Sequence, residues 1–298
     1  MGRASRRYAS AVTVCLPLCL PLCLPLGLLV ALASCGGGAS YVNVVEKVRG
    51  SRRITIGTKW DQPGLGLRSG SGEPQGFDAD VARYLVGALA PGGDVRITWR
   101  ESPSSTREAL LQNGTVDLVL ATYTITNARK PRVTFGGPYV SVPQDTMVRA
   151  ADTTIRTVAD LRGKRVCLAK GSNSYRRVVD PPPDGRLGLP ARLVPAENYS
   201  DCVRKLAAGE LDAVSTENLV LAGFAAAAPG RFRLLNDPIS DERWGVGIKK
   251  GDAATCRAVN AAIAAMWRDG TAARLLRKWF GDTGLALPSA LPRPEGCP

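Results

Sequence analysis

Apolar residues recur along this chain with two different spacings, and the alternation between them predicts its architecture. Arg53-Ile54-Thr55-Ile56-Gly57-Thr58-Lys59 alternates as a half-buried strand does. Gly76 to Val86 carries helical spacing, with Asp78 placed to cap it and Asp80 to offset the helix dipole. Val95 to Trp99 predicts a second strand. Ser105 to Asn113 predicts a short helix stopped by Gly114, and Val116 to Ala121 is a nearly continuous apolar run of strand length. The polar segment from Thr122 to Arg129 follows, with Thr126 placed to cap a turn that opens a new helix. Strand, helix, strand, helix, strand is the order of an α/β unit built on a parallel sheet.

After Tyr139 the pattern restarts. Strands are predicted at 146–148, 164–169, from Val194, at 211–215 and at 244–248, and helices at 157–163, 201–208, 255–267 and 271–280. The stretch Asn113-Gly114-Thr115-Val116-Asp117-Leu118-Val119 is echoed by Gly209-Glu210-Leu211-Asp212-Ala213-Val214. A helix-Gly-x-x-Asp-strand unit thus occurs once in each half, as two similar lobes would produce. Cys256, Val259, Ile263, Met266 and Trp267 line one helical face and read as core. Residues 285–298 read as a Pro-rich tail.

The first 34 residues change the picture. A basic start precedes an apolar run from Ala11 to Ala33 that Pro17, Pro21 and Pro25 interrupt, which suits a secretory signal better than a permanent span. It ends in Leu32-Ala33-Ser34-Cys35-Gly36, which resembles a bacterial lipobox. That resemblance implies a signal peptide over 1–34, an acylated Cys35, and a lipid-anchored chain at the extracytoplasmic face of the bacterial cell membrane. Gly36-Gly37-Gly38-Ala39-Ser40 then begins a flexible tether expected over 35–51.

Charge and composition exclude several classes of function. The chain carries 39 basic and 26 acidic residues. The basic ones are scattered, with no basic helix and no aromatic–basic alternation, so no nucleic-acid partner is expected; anionic small ligands suit the balance better. Histidine is absent, which removes Ser-His-Asp and Cys-His catalysis. Gly64-Leu65-Gly66 lacks the third glycine and helix opening of a dinucleotide fingerprint, and no cofactor is expected. Beyond Cys35 and the signal segment, Cys167, Cys202, Cys256 and Cys297 form an even set, as disulfides in an exported protein require. Without His or CxxC spacing, no metal site is expected.

Candidate chemistry gathers at the carboxyl ends of predicted strands. Thr122, Thr124 and Arg129 follow one of them and read either as a receptor for a carboxylate or as a solvated helix start with an exposed Arg. Lys170-Gly171-Ser172 forms a second polar turn, and Thr216-Glu217-Asn218 closes another strand.

These pieces together resemble the solute-binding proteins of polar amino-acid ABC importers. The resemblance rests on Gly76-Phe77-Asp78-Ala79-Asp80, Asn113 to Asp117, Thr124-Ile125-Thr126-Asn127-Ala128-Arg129, Asp160 to Lys164, Lys170-Gly171-Ser172 and Lys278-Trp279-Phe280-Gly281. It implies a two-lobe periplasmic-binding-protein-like α/β fold of type II, with two sheets joined by a two-strand hinge. Lobe 1 would be 52–143 plus 244–284, and lobe 2 would be 144–240. Four cysteines allow three pairings, and Cys167–Cys202 with Cys256–Cys297 is the one favoured, because neither bond then crosses from one proposed lobe to the other. The resemblance further implies that Arg129 pairs with a ligand α-carboxylate, aided by donors from Thr122, Thr124 and Ser172. Glu217, where the family usually has Asp, would pair with the α-ammonium. Arg107 and Lys59 occupy positions that serve a side-chain carboxylate in the acidic-amino-acid branch. The implied function is capture of glutamate or aspartate by a non-catalytic monomer, for delivery to ABC permease subunits. The alternatives are an extracellular sensor docking a membrane signalling protein, or a dehydratase-like enzyme on the same fold.

Overall fold

The computed structural model describes residues 40–183 and 185–298, so the signal peptide expected over 1–34 and the acylation expected at Cys35 lie outside the described residues. In chain order the first elements are α1 (Val44–Ser51), β1 (Arg53–Thr58), the small hairpin β2 (Asp61–Gln62) and β3 (Gly66–Leu67), then α2 (Phe77–Leu89), β4 (Arg96–Glu101), α3 (Arg107–Gln112) and β5 (Leu118–Val119). The long strand β6 (Val133–Arg149) leads to β7 (Arg165–Ala169), α4 (Ser174–Val179), β8 (Arg192–Ala196), α5 (Tyr199–Ala207), β9 (Val214–Glu217), α6 (Asn218–Ala227) and β10 (Phe232–Leu234). The chain returns through β11 (Ser240–Lys249) and ends in α7 (Ala253–Arg268) and α8 (Thr271–Phe280).

Two long antiparallel strands organise everything else. β6 and β11 pair from Ser240 opposite Gln144 to Lys249 opposite Val133, with a bulge at Trp244. One end of this ribbon continues into β5, β1 and β4, where β1 is parallel to both its neighbours. At its other end β6 pairs with β9 and β10, and the parallel pair β7–β8 is bridged to the β9 approach at Val166 and Ala213. The boundaries expected at 143–144 and 240–244 therefore fall inside β6 and β11. Within β6 the sequence predicts only 146–148 as strand, because Gly136, Gly137, Pro138 and Pro143 punctuate it, whereas 244–248 is predicted within β11.

The echoed sequence unit has a shared structural purpose. Gly114 and Gly209 both take a positive φ after a helix, at 74° and 76°. Three residues on, Asp117 Oδ2 accepts the Thr55 N–H of β1 at 2.8 Å, and Asp212 Oδ2 accepts the Arg165 N–H of β7 at 2.8 Å. Each aspartate thus clamps the start of a neighbouring strand, and each gains a cation: Lys47 on Asp117, Arg165 on Asp212.

The tether expected over 35–51 is corrected at its end, because 44–51 form α1. Asn43 accepts the Glu46 N–H at 2.9 Å as the cap, and Val44, Val45 and Val48 are buried. Asp252 and Thr255 take up the first N–H groups of α1, so this short helix exists through tertiary contacts that propensity alone does not reveal. Asp78 is likewise not a cap. The N-cap is Gly76 at φ 134°, where a Cβ would lie 2.2 Å from Leu65 backbone, and Asp78 is drawn fully inside. Asp80 instead meets Arg83, Lys278 and the Trp279 indole, tying α2 to α8. Thr126 opens no helix: 126–132 are turns, since Pro131 lacks an N–H and the chain passes straight into β6.

Cys167–Cys202 links β7 to α5, and Cys256–Cys297 links α7 to the C-terminal tail, the two pairings expected. No described helix is long and apolar enough to cross a membrane.

Arg165 holds the Asp212 carboxyl below its ordinary range, with the Arg165 N–H adding to the effect. Stability from this clamp is therefore present above pH 4 and lost as pH falls through the lowered folded value. Asp212→Ala should cost about 1–3 kcal/mol at pH 7. Urea titrations of both proteins should show the difference narrowing below pH 4.

Candidate functional site

The ends of several elements converge between the two groups that β6 and β11 join. β1 delivers Lys59 and α3 begins with Arg107. The segment after β5 carries Thr122 to Thr124, and the 126–132 turn carries Arg129. From the other group, the turn after β7 brings Gly171 and Ser172, and the end of β9 brings Glu217. The bulge in β11 brings Trp244 against Glu217. Lys59, Arg107, Thr122, Thr124, Arg129 and Glu217 are all buried, and Ser172 is half-buried. The structure thus assembles every residue singled out from the sequence.

Three cations dominate one side. Lys59 donates to Ser104 Oγ at 2.8 Å. Arg107 donates to the Ala121 carbonyl at 3.0 Å and lays its guanidinium carbon 3.9 Å from the Tyr123 ring centre. Arg129 approaches the same ring at 5.2 Å, donating to the carbonyls of Thr124 at 2.7 Å and Gly171 at 3.4 Å. The nearest carboxylate to Arg129 is Glu108 at 3.7 Å, and among the described residues neither Lys59 nor Arg107 has an ion-pair partner. Burial, aided by the Arg107 charge, pushes Lys59 from 10.5 down to about 7. Burial and Arg129 push Arg107 down to about 9. Donor atoms around them are also unpartnered: Arg107 Nε, Trp60 Nε1 and Gln62 Nε2. The tyrosine faces soften the repulsion between the guanidiniums, but only a negative charge would remove it.

A carboxylate faces them. Glu217 accepts hydrogen bonds on one oxygen from Thr124 Oγ1 at 2.7 Å and Trp244 Nε1 at 3.2 Å, and on the other from Ser174 Oγ at 3.4 Å and from Thr216 Oγ1. The carboxylate is thereby fixed across the gap, with the Thr124 bond joining the two groups of elements. Ser172 and Tyr199 form a hydroxyl pair at 2.7 Å beside it.

Below the site, Asp78 accepts from Tyr139 OH and the Thr122 N–H, each at 2.8 Å. Its carboxyl is pushed up to about 6 by burial, against the pull of those two bonds. Thr122 holds a φ of 46°, and its hydroxyl donates to the Ala121 carbonyl at 2.8 Å. Both Thr122 donors are therefore engaged within the protein, which leaves it shaping the loop. The backbone N–H groups that follow Thr126 are likewise engaged, Arg129 and Lys130 both donating to the Thr126 carbonyl. The sequence does not mark Asp78, Gln62 and Trp244 as parts of the site. Asp78 passed for a cap, and Trp244 for an ordinary strand residue.

The two groups also touch outside the charged cluster. Ser200, at the start of α5, donates its hydroxyl to the Asp61 carbonyl at 3.0 Å. Gly223 of α6 lies so near Pro63 that a Cβ there would sit 2.0 Å from the Pro63 carbonyl oxygen. A cavity of about 590 Å³ opens onto Arg129 and Ser172 and is lined further by Arg177 and Arg243.

Two groups of α/β elements sharing a pair of long strands, with opposed charges meeting between them, constitute the two-lobe solute-binding fold of type II. The chain belongs to the bacterial extracellular solute-binding proteins, family 3, which it matches over residues 54–282. It is 39% identical to the glutamate-binding protein GluB of Corynebacterium glutamicum over 275 residues, covering 88% of this chain and 90% of that protein. It is 30% identical to the ABC transporter glutamine-binding protein GlnH of Bacillus subtilis, covering 85% of this chain and 93% of GlnH. Among solved structures, an ancestral arginine-binding protein bound to arginine superposes with a TM-score of 0.68 at 29% identity, covering 77% of this chain and 98% of that one. The cysteine-binding protein of Campylobacter jejuni shares the fold with a TM-score of 0.73 at 21% identity, over 83% and 97% of the two chains.

Because Lys59 holds a proton more weakly folded than unfolded, the unfolded chain binds more protons between pH 7 and 10.5. Its contribution to the stability of the ligand-free protein therefore rises with pH in that window, by up to about 1.4 kcal/mol per pH unit. Denaturant titrations from pH 7 to 10 should show this slope, and Lys59→Met should lack it.

Proposed function

We propose that this chain captures an acidic amino acid, glutamate foremost, and delivers it to the permease of an ABC importer. In this reading Arg129 receives the α-carboxylate and Glu217 the α-ammonium, with Ser172 supplying a hydroxyl and Thr124 holding the Glu217 carboxylate in place. Lys59 and Arg107 receive the side-chain carboxylate. The observation that carries it is the pair of buried cations with no carboxylate within ion-pairing distance among the described residues, beside donors that lack acceptors.

Relatives in the family are named for glutamate, glutamine and cystine, so the fold alone does not choose the ligand. The charge does. A glutamine side chain would leave two desolvated cations unpaired, and an arginine side chain would add a third. Unpaired buried charge is penalised by several kcal/mol, enough for strong discrimination. The unpartnered donors of Arg107, Trp60 and Gln62 equally disfavour an apolar side chain.

The role is binding without chemistry. The two groups best suited to proton transfer, Glu217 and Lys59, are each committed to pairing with a ligand charge in this arrangement. Closure of the lobes on the ligand would be relayed to the membrane partner, and an acylated Cys35 would keep the domain beside it.

Isothermal titration of the purified extracytoplasmic chain should give a dissociation constant on the order of micromolar for glutamate, near −8 kcal/mol. Glutamine should bind at least about a hundredfold more weakly; equal affinity for the two would reject the assignment of Lys59 and Arg107. Arg129→Ala should abolish binding of every amino acid, whereas Arg107→Met should mainly narrow the gap between glutamate and glutamine. Gly223→Ala touches no proposed ligand contact, yet should weaken all ligands alike by keeping α6 away from Pro63.

A further inference from the structure

Residues 285–298 form no helix or strand and lie past residue 282, where the family match ends. They are nevertheless fastened closely. Cys297 is bonded to Cys256 of α7, the Glu295 N–H donates to the Gly137 carbonyl at 2.7 Å, and Asn260 donates to the Glu295 carbonyl at 3.3 Å. The Glu295 side chain, the only carboxylate in this tail, is thus aimed at two cations: Lys130 Nζ at 2.7 Å and Arg243 Nη2 at 2.6 Å.

Those two residues flank the candidate site from opposite directions. Lys130 follows Arg129 in the 126–132 turn, which is held otherwise by bonds within the turn, by Arg129 to Glu108 and to the Thr124 and Gly171 carbonyls, by Arg132 to Glu108, and by Gln112 and Lys250 donating to the Arg132 and Lys130 carbonyls. Arg243 precedes Trp244, the residue that donates to Glu217, and its carbonyl accepts the Ile125 N–H at 2.8 Å. One carboxylate therefore bridges the turn that presents the guanidinium and the strand that supports the opposing glutamate.

We propose that Glu295 is a positioning residue for the ligand site, acting through Lys130 and Arg243, and that the Cys256–Cys297 disulfide makes this bracing possible. The inference rests on the reading of Arg129 and Glu217 as ligand partners. Without the disulfide the last residues lose their covalent hold on α7, and Glu295 is no longer kept between its two cations. The tail then acts as an oxidised strap on the rim of the cavity, and ligand affinity depends on its being fastened. Neither Lys130 nor Arg243 would touch ligand; both set where Arg129 and Trp244 sit.

The test uses the full extracytoplasmic chain with two alterations: Glu295→Gln, which keeps the backbone bonds and removes the charge, and the double substitution Cys256→Ser with Cys297→Ser. Glutamate affinity by calorimetry should fall about fivefold in each, the size expected for two part-exposed ion pairs. Hydrogen–deuterium exchange of the ligand-free proteins should quicken in 123–132 and 243–245 while α2 and β1 keep their protection. Wild-type affinity in both variants would overturn the proposal, as would exchange quickened evenly along the chain, which marks general destabilisation. Should the wild-type chain fail to bind glutamate, the ligand reading falls by itself, and the exchange pattern alone then decides whether Glu295 braces the two segments.

Discussion

Desolvated positive charge is the constraint around which this molecule is arranged. Lys59, Arg107 and Arg129 are removed from water with little compensation, and each such burial is unfavourable by several kcal/mol unless an anion arrives. The scaffold makes this tolerable in specific ways. Tyr123 offers π faces to two guanidiniums, the carbonyls of Ala121 and Thr124 accept from them, and the Asp78 carboxylate lies in the layer beneath. None of these neutralises the cations.

Symmetry in the framework contrasts with asymmetry at the site. Asp117 and Asp212 perform the same task in corresponding places, each clamping the N–H of an adjacent parallel strand. The side chains delivered to the gap differ completely: one group of elements contributes cations, and the other a glutamate fixed by hydroxyls and an indole. Repeating the support while diversifying the tips of the strands is how an α/β framework acquires a polar ligand site without disturbing its core.

Much of this was legible in the sequence, and the failures have physical reasons. Alternation at 53–59 and helical spacing in α2, α7 and α8 reported their elements directly, and the residues at strand ends reported the site. α1 escaped notice because eight residues carry too little pattern, and its order comes from Asp252 and Thr255, more than two hundred positions away. α6 is apolar on every side, so no period distinguishes it. β6 was read as a fragment because its glycines and prolines imitate loop punctuation. Asp78 was misjudged because a carboxylate at a helix start has two uses, and only tertiary structure tells a cap from a buried acceptor.

The path of the chain through β6 and β11 has a temporal consequence. The earliest of the described elements, α1 to β5, share their core with α7 and α8, which leave the ribosome and are exported after the rest of the two-group framework. Contacts such as Val44 with Asp252 close a loop of about two hundred residues, the slowest kind to form. The intervening elements, β7 to β10, are contiguous and can settle first. Vectorial export thus favours completing the middle of the chain before its two ends find each other, and the Cys256–Cys297 bond can seal the assembly only when the final residues have crossed.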